Sequence, residues 1–265
     1  MPVLQEEQYE KIISDYLSGM TQKEAGEANG IGRDAVGKIL KRFEVPTREY
    51  TGERISTQKW IWDFDFFERR TELSSYWAGF LMADGNINNK GNIMALVIQG
   101  KDLQHLYDFC DHIKLDRNSV YKDSSSDAYG IHLNNKDLGR QLEPWGIVPR
   151  KSKNFHEPYF LYDNPHLICN FLRGWIDGDG NVYRYGRAAR IRVSSGNRES
   201  LEWFTRALEY IGYDGYSSIS EVKSEKYPGN YLLYIGGALQ VAKVCQVLQV
   251  DDRFCMERKW TSRRD

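Results

Sequence analysis

Apolar residues recur at Tyr9, Ile12, Ile13, Tyr16 and Leu17 in an otherwise polar opening segment, the spacing of one face of an amphipathic helix. Gly19 ends that helix. Thr21-Gln22-Lys23-Glu24 has the capping-box pattern of a helix start, Asn29-Gly30 reads as its stop, and Ile31 leads into a second short helix, about Asp34 to Phe43. Helix, glycine-containing turn and helix make a helix-turn-helix candidate. From Thr47 to Lys59 periodicity and apolar residues vanish, which predicts a tether. Aromatic residues resume at Trp60, Trp62, Phe64, Phe66 and Phe67, a grouping better suited to core packing than to stacking on bases.

Past residue 70 one pattern runs twice. Trp77-Ala78-Gly79-Phe80-Leu81-Met82-Ala83-Asp84-Gly85 and Leu172-Arg173-Gly174-Trp175-Ile176-Asp177-Gly178-Asp179-Gly180 are short apolar runs with small residues where two helices could touch. Each closes on Asp-Gly, a carboxylate followed by a glycine suited to a helix C-terminus. After the first come a polar turn (86–91), a strand-like run (92–99), a helical run (102–115), strands around Tyr121 and 129–133, and a helix (136–145). After the second the same order follows, with strand-like sequence at 190–195, a helix at 198–211, strands at 216–222 and 231–235, and a helix at 238–248. Each half then ends on Arg-Lys: Arg150-Lys151 and Arg258-Lys259.

Across 265 residues the formal net charge is −1, so attraction to phosphate has to come from local clusters. One follows the first turn, at Arg33, Lys38, Lys41 and Arg42, with Arg48 next and Arg54 in the tether. A basic second helix suits a major-groove reader. The four cysteines show neither CxxC nor zinc-finger spacing, which points to reduced thiols. With no signal peptide, transit peptide or membrane-length apolar run, the expected location is cytoplasmic, without a membrane partner.

The two Asp-Gly motifs and their matched flanks resemble the LAGLIDADG homing endonucleases in their single-chain, two-motif form, over about residues 70 to 265. The opening segment is similar to the helix-turn-helix of resolvase-like and transposase-like DNA-binding domains. These resemblances imply an α+β fold: tandem pseudo-twofold αββαββα LAGLIDADG repeats with saddle-shaped antiparallel sheets, preceded by a small all-α helix-turn-helix domain. The expected divisions are 1–46 for that domain, 47–69 for a linker, 70–160 for the first half and 161–265 for the second. Ala78, Gly79 and Gly174 would let the motif helices touch, bringing Asp84 and Asp179 to the same end of the pair. Two close carboxylates repel, and a divalent cation relieves them. The implied metal positions are Asp84 and Asp179, with Gly85 and Gly180 beside them, for Mg2+, with Mn2+ or Ca2+ able to occupy the site. Met82 stands where the name motif has its earlier Asp, and Asp177, which keeps that Asp, reads as structural. By the family pattern Lys151 and Lys259 stabilise charge at the phosphate, while Gln99 and Ser195, at the ends of matching strands, order solvent near the metals. Arg150 and Arg258 are neighbours able to take the lysine role or to contact phosphates.

A DNA-facing strand alternates polar and apolar residues, as Arg190-Ile191-Arg192-Val193-Ser194 does, with Arg190, Arg192 and Ser194 on one face. Tyr183, Arg184, Tyr185 and Arg187 precede it and extend the DNA-binding set. The first half offers Asn86, Asn88 and Lys90 and is less basic, so recognition is unequal and the double-stranded target asymmetric. The resemblance implies, as the leading reading, a monomeric, magnesium-dependent, site-specific DNA endonuclease that cuts both strands and spreads a mobile genetic element or intron. Two competitors share the scaffold: a non-cleaving transcription regulator, and an intron maturase with an RNA partner. Tyr210-Ile211-Gly212 and Tyr234-Ile235-Gly236 lack the preceding Gly-Ile-Tyr that another nuclease class needs.

Overall fold

A computed structural model describes residues 6–45, 60–185, 188–223 and 229–261. The chain divides into two compact units, residues 1–57 and 58–265. In the smaller, α1 (Glu6–Leu17), α2 (Gln22–Ala28) and α3 (Arg33–Arg42) bury Ile12, Tyr16, Ala25, Val36, Ile39 and Leu40 against one another. The capping box at the start of α2 is formed: Glu24 N–H donates to Thr21 Oγ1 at 3.2 Å, and Thr21 N–H donates to the Glu24 carboxylate at 2.8 Å. Gly30 takes φ +67° in the turn, a conformation that a glycine adopts without strain. The tether expected at 47–59, with Arg48 and Arg54, lies outside the described residues.

The larger unit repeats one plan. Its first half runs α4 (Glu72–Asp84), β1 (Gly85–Ile87), β2 (Ile93–Gln99), α5 (Leu103–His112), β3 (Tyr121–Lys122), β4 (Ala128–Asn134) and α6 (Leu138–Leu142). The second runs α7 (Pro165–Asp179), β5 (Gly180–Tyr185), β6 (Ala188–Ser195), α8 (Arg198–Tyr210), β7 (Ser218–Glu221), β8 (Tyr231–Gly236) and α9 (Ala238–Val247), and closes with α10 (Glu257–Trp260). Each half forms a four-stranded antiparallel sheet, in the orders β1-β2-β4-β3 and β5-β6-β8-β7. This is the expected α+β plan of paired αββαββα units.

α4 is apolar almost all round, so it can sit only inside the body, and every residue from Ser74 to Met82 is buried. α7 lies against it, and the small residues named above are what permit the approach. A Cβ added at Gly79 would stand 1.9 Å from the Phe171 carbonyl oxygen, and one at Gly174 would stand 2.0 Å from that of Tyr76. Aromatic side chains fill the layers on either side, Trp77 against Phe109 in one half and Trp175 against Trp203 in the other.

Three sequence expectations need correction. Residues 60–69, bounded above with the linker although their aromatic run reads as the start of the larger body, belong to that unit's core: Trp62, Phe66 and Phe67 are buried there, and Asp63 N–H donates to Ile113 O at 2.7 Å. The helix expected over 136–145 shrinks to α6 followed by a 3-10 turn at Glu143–Trp145, because Pro144 offers no N–H and Gly146 turns to φ +77°. Gly85 and Gly180 close their helices in extended backbone, at φ −71° and −80°, without a left-handed cap. They are glycines because of space, since an added Cβ would lie 2.6 Å from Leu81 O and 2.3 Å from Ile176 O.

Candidate active site

The packing of α4 on α7 carries Asp84 and Asp179 to adjacent helix ends. A third pair of small residues completes the approach: a Cβ at Gly178 would collide with that of Ala83 at 2.3 Å and would lie 3.3 Å from Asp84 Oδ2. Both aspartates are open to solvent on their outer side. Protein packed behind them raises both above the ordinary carboxylate value. For Asp179, burial and the neighbouring Asp84 charge together reach about 7 against the pull of Lys151 and Lys259. Both carboxylates are therefore harder to ionise than a solvated aspartate.

Lys151 and Lys259 occupy equivalent places. Lys151 Nζ donates to Gly85 O at 2.6 Å and Ala83 O at 3.3 Å, at the C-terminus of α4. Lys259 Nζ donates to Gly178 O at 2.7 Å, Gly180 O at 2.9 Å and Ile176 O at 3.3 Å, at the C-terminus of α7. Each ammonium satisfies the last carbonyls and meets the negative end of the helix dipole. Burial lowers both lysines, while Asp179 and Asp84 hold Lys151 up, and Asp177 and Asp84 do so for Lys259. The carbonyls of Gly85 and Gly180, expected as metal positions, accept from these lysines and each keeps a second lone pair. The carboxylate pair is the charged part of the site open to a divalent cation, and two carboxylates together with substrate phosphate oxygens suit hard, oxygen-seeking Mg2+. Among the described residues no three His, Cys, Asp or Glu gather as a metal cluster.

The segment that bears Lys259 is pinned by α7. Asp177 is buried and accepts from Tyr76 Oη at 2.6 Å, Met256 N–H at 2.7 Å and Trp260 Nε1 at 2.6 Å, and burial still raises it above the ordinary range. Tyr76 in turn meets His105 Nε2 at 2.9 Å, and burial holds His105 neutral by pushing it down to about 3. One turn away, Arg173 donates to Leu248 O at 2.5 Å and Phe254 O at 2.9 Å. The structural role expected of Asp177 matches this geometry. Tyr76, His105, Arg173 and Gly178 were not singled out from sequence. Gly178 alone had a local signal, as another small residue within the second motif.

Gln99 and Ser195 are not matching positions. Gly85 faces Leu96 across the first sheet, and Gly180 faces Val193 across the second, so Gln99 corresponds to Gly196 and Ser195 to Ile98. The one-residue offset puts them on opposite faces. Gln99 is exposed on the outer face, whereas Ser195 Oγ lies 2.7 Å from Ser200 Oγ and accepts from Asn197 N–H at 3.1 Å, at the start of α8. Arg258 is held by Asp102 of the first half, and Arg150 sits exposed at φ +59°.

The DNA-binding candidates also divide. Arg33, Lys38 and Lys41 are exposed on α3, and Arg42 lies over the Tyr9 ring at 5.4 Å. Asn86 and Lys90 are exposed, but Asn88 is used in its own turn, where its Oδ1 accepts from Asn92 and Ile93 N–H at 3.1 and 3.2 Å. Arg190, Arg192 and Ser194 share the outer face of β6, as alternation predicts, with Ile191 and Val193 buried behind. Arg184 alternates to the other face from Tyr183, donates to Trp260 O at 3.0 Å, and lines a cavity of about 110 Å3 with Arg258 and Lys259. Arg187 and the Tyr185 side chain lie outside the described residues. No helix among the described residues is long and apolar enough to cross a membrane.

Residues 166–246 match the family model described as a LAGLIDADG-like domain. The match includes the second motif, Leu172 to Gly180, and lies within the second half. No protein of curated function matches the chain. Among solved structures, the N-terminal LAGLIDADG domain of DUF199/WhiA is similar at 17% identity over 72% of this chain and 87% of that one, with a TM-score of 0.49. The I-LtrWI LAGLIDADG homing endonuclease bound to target DNA is similar at 10% identity over 71% and 87%, with a TM-score of 0.48. I-DmoI in complex with DNA and Mn is similar at 16% identity over 68% and 98%, with a TM-score of 0.44.

Proposed function

We propose that this protein is a divalent-metal-dependent, site-specific endonuclease that cuts both strands of an asymmetric DNA target as a monomer, with residues 6–45 as an accessory DNA-contacting module. The observation that carries the reading is the convergence of Asp84 and Asp179 at one end of a close-packed helix pair, each beside an equivalently placed lysine. A bound Mg2+ would supply an activated water and charge opposite the leaving 3′ oxygen. The chain's own residues do the rest. Asp84 and Asp179 would hold the cation, whose charge offsets the burial that raises both and the Asp84 charge that adds to it at Asp179. Lys151 and Lys259, fixed by backbone carbonyls, place positive charge at the two centres where a phosphate gains negative charge. The outward arginines of β6 hold the duplex across this end. The exposed basic side chains of α3 support a DNA role for the smaller unit.

The test is incubation of the full chain with a DNA pool that includes its gene's flanking sequence joined without the insertion, in Mg2+ or in chelator, with the ends mapped by sequencing. Expected are Mg2+-dependent double-strand breaks at one site that Asp84→Asn and Asp179→Asn each abolish while binding persists. Specific binding without cleavage would replace this reading with the regulator. Specific binding to intron RNA, with no DNA bound, would replace it with the maturase.

A further inference from the structure

The two sheets present chemically opposite outer faces at equivalent positions. The pairing of Gly85 with Leu96 and of Gly180 with Val193 aligns the strands, so Ile93, Ala95 and Val97 of β2 stand where β6 has Arg190, Arg192 and Ser194. On the second sheet Arg190 lies 4.7 Å over the Tyr183 ring and Arg192 lies 5.8 Å from the Tyr234 ring. The Nε atom of each is buried without a hydrogen-bond partner. Each guanidinium lies within cation–π range of a tyrosine, and its terminal amino groups are left as a pair of donors. On the first sheet Ile93 and Val97 are 36% and 43% exposed, and no lysine or arginine shares their face in the register of the four strands. The polar groups there are the exposed Asn86 and His132, both opposite Ala95, the exposed Asn134 opposite Ile93, Tyr121 opposite Gly130, and Gln99 at the end of β2.

Base edges in the major groove discriminate between such faces. Guanine offers two acceptors, O6 and N7, which a guanidinium fork matches, whereas thymine offers a methyl group and adenine an acceptor and donor pair that Asn or Gln can meet. Guanine set against Val97, whose cross-strand neighbour is Gly130, would lose water from both acceptors with no donor from that pair in return. Resting on the proposal that these sheets contact DNA, we infer that the target is divided in composition. The first half selects A·T pairs through thymine methyls on Ile93, Ala95 and Val97, with Asn86 and Gln99 directed to adenine, and the second half selects guanine through Arg190 and Arg192. Phosphate attraction is correspondingly weighted to the second half.

The experiment is selection of bound duplexes by the full chain from a randomised pool in chelator, where binding is read without cleavage. The expected consensus has an A·T-rich segment on one side and guanines on the other. Arg192→Gln lowers affinity for that consensus by about five- to a hundredfold and erases guanine at one position, leaving the A·T segment intact. Ala95→Arg, an outward change on the other sheet, brings guanine into the A·T segment. Guanine on both sides, or a consensus unmoved by both variants, overturns the inference and leaves DNA recognition standing. Failure to enrich any sequence removes the inference and the DNA-recognition reading together.

Discussion

Asp179→Asn isolates the charge held between the motif helices. Burial first and Asp84 second raise Asp179 from the ordinary 3.8 to about 7, with Lys151 and Lys259 opposing. A carboxylate whose folded value is raised binds more protons folded than unfolded between the two values, so its contribution to stability falls as pH rises through about 7. For a fully shielded group the difference would amount to about 4 kcal/mol at alkaline pH. The side chain is open to solvent, and screening reduces the figure to about 1–2 kcal/mol. Asn keeps the shape and removes the charge. In chelator at pH 8.5 the variant should unfold about 3–6 °C above wild type by circular dichroism. That advantage should shrink as pH falls and vanish near pH 4. Saturating Mg2+ should reverse the order, since only the carboxylate pair gains from the cation. Equal midpoints in chelator at pH 8.5, or a variant less stable than wild type, would refute the reasoning.

Two further substitutions probe the frame around the site. Gly174→Ala places a methyl 2.0 Å from Tyr76 O, so the helices have to part; a loss above about 4 kcal/mol in urea unfolding is expected, and a wild-type midpoint would contradict the close approach. Asp177→Asn presents an amide N–H2 to a site where Tyr76, Met256 and Trp260 all donate; about 2–4 kcal/mol of destabilisation is expected, and an unchanged midpoint would show that the network does not hold the C-terminal segment.

What could be read from sequence follows the range over which each signal acts. The capping box at Thr21 and Glu24 and the alternation at Arg190 to Ser194 are local patterns with their expected geometry, and the small residues of the twice-used motif let its helices touch as expected. Gln99 and Ser195 mark where that stops. Strand ends are not marked in sequence to one residue, and in a sheet one residue is a change of face, which only the partner strand's register resolves. The glycines after Asp84 and Asp179 teach the same lesson from the other side: the residue type was legible, but both left-handed backbone and lack of room favour glycine, and only coordinates separate the two. Tyr76, Asp177, His105 and Trp260 come from four distant stretches of chain and meet through side chains alone. Nothing within any one stretch marks them as a group. Their convergence links the first half's core to the segment carrying Lys259, so the lysine at one centre depends on packing built by both repeats. A sequence that encodes two similar halves therefore gives two centres with different support, Lys151 with two carbonyl partners and Lys259 with three, on a segment anchored by Asp177.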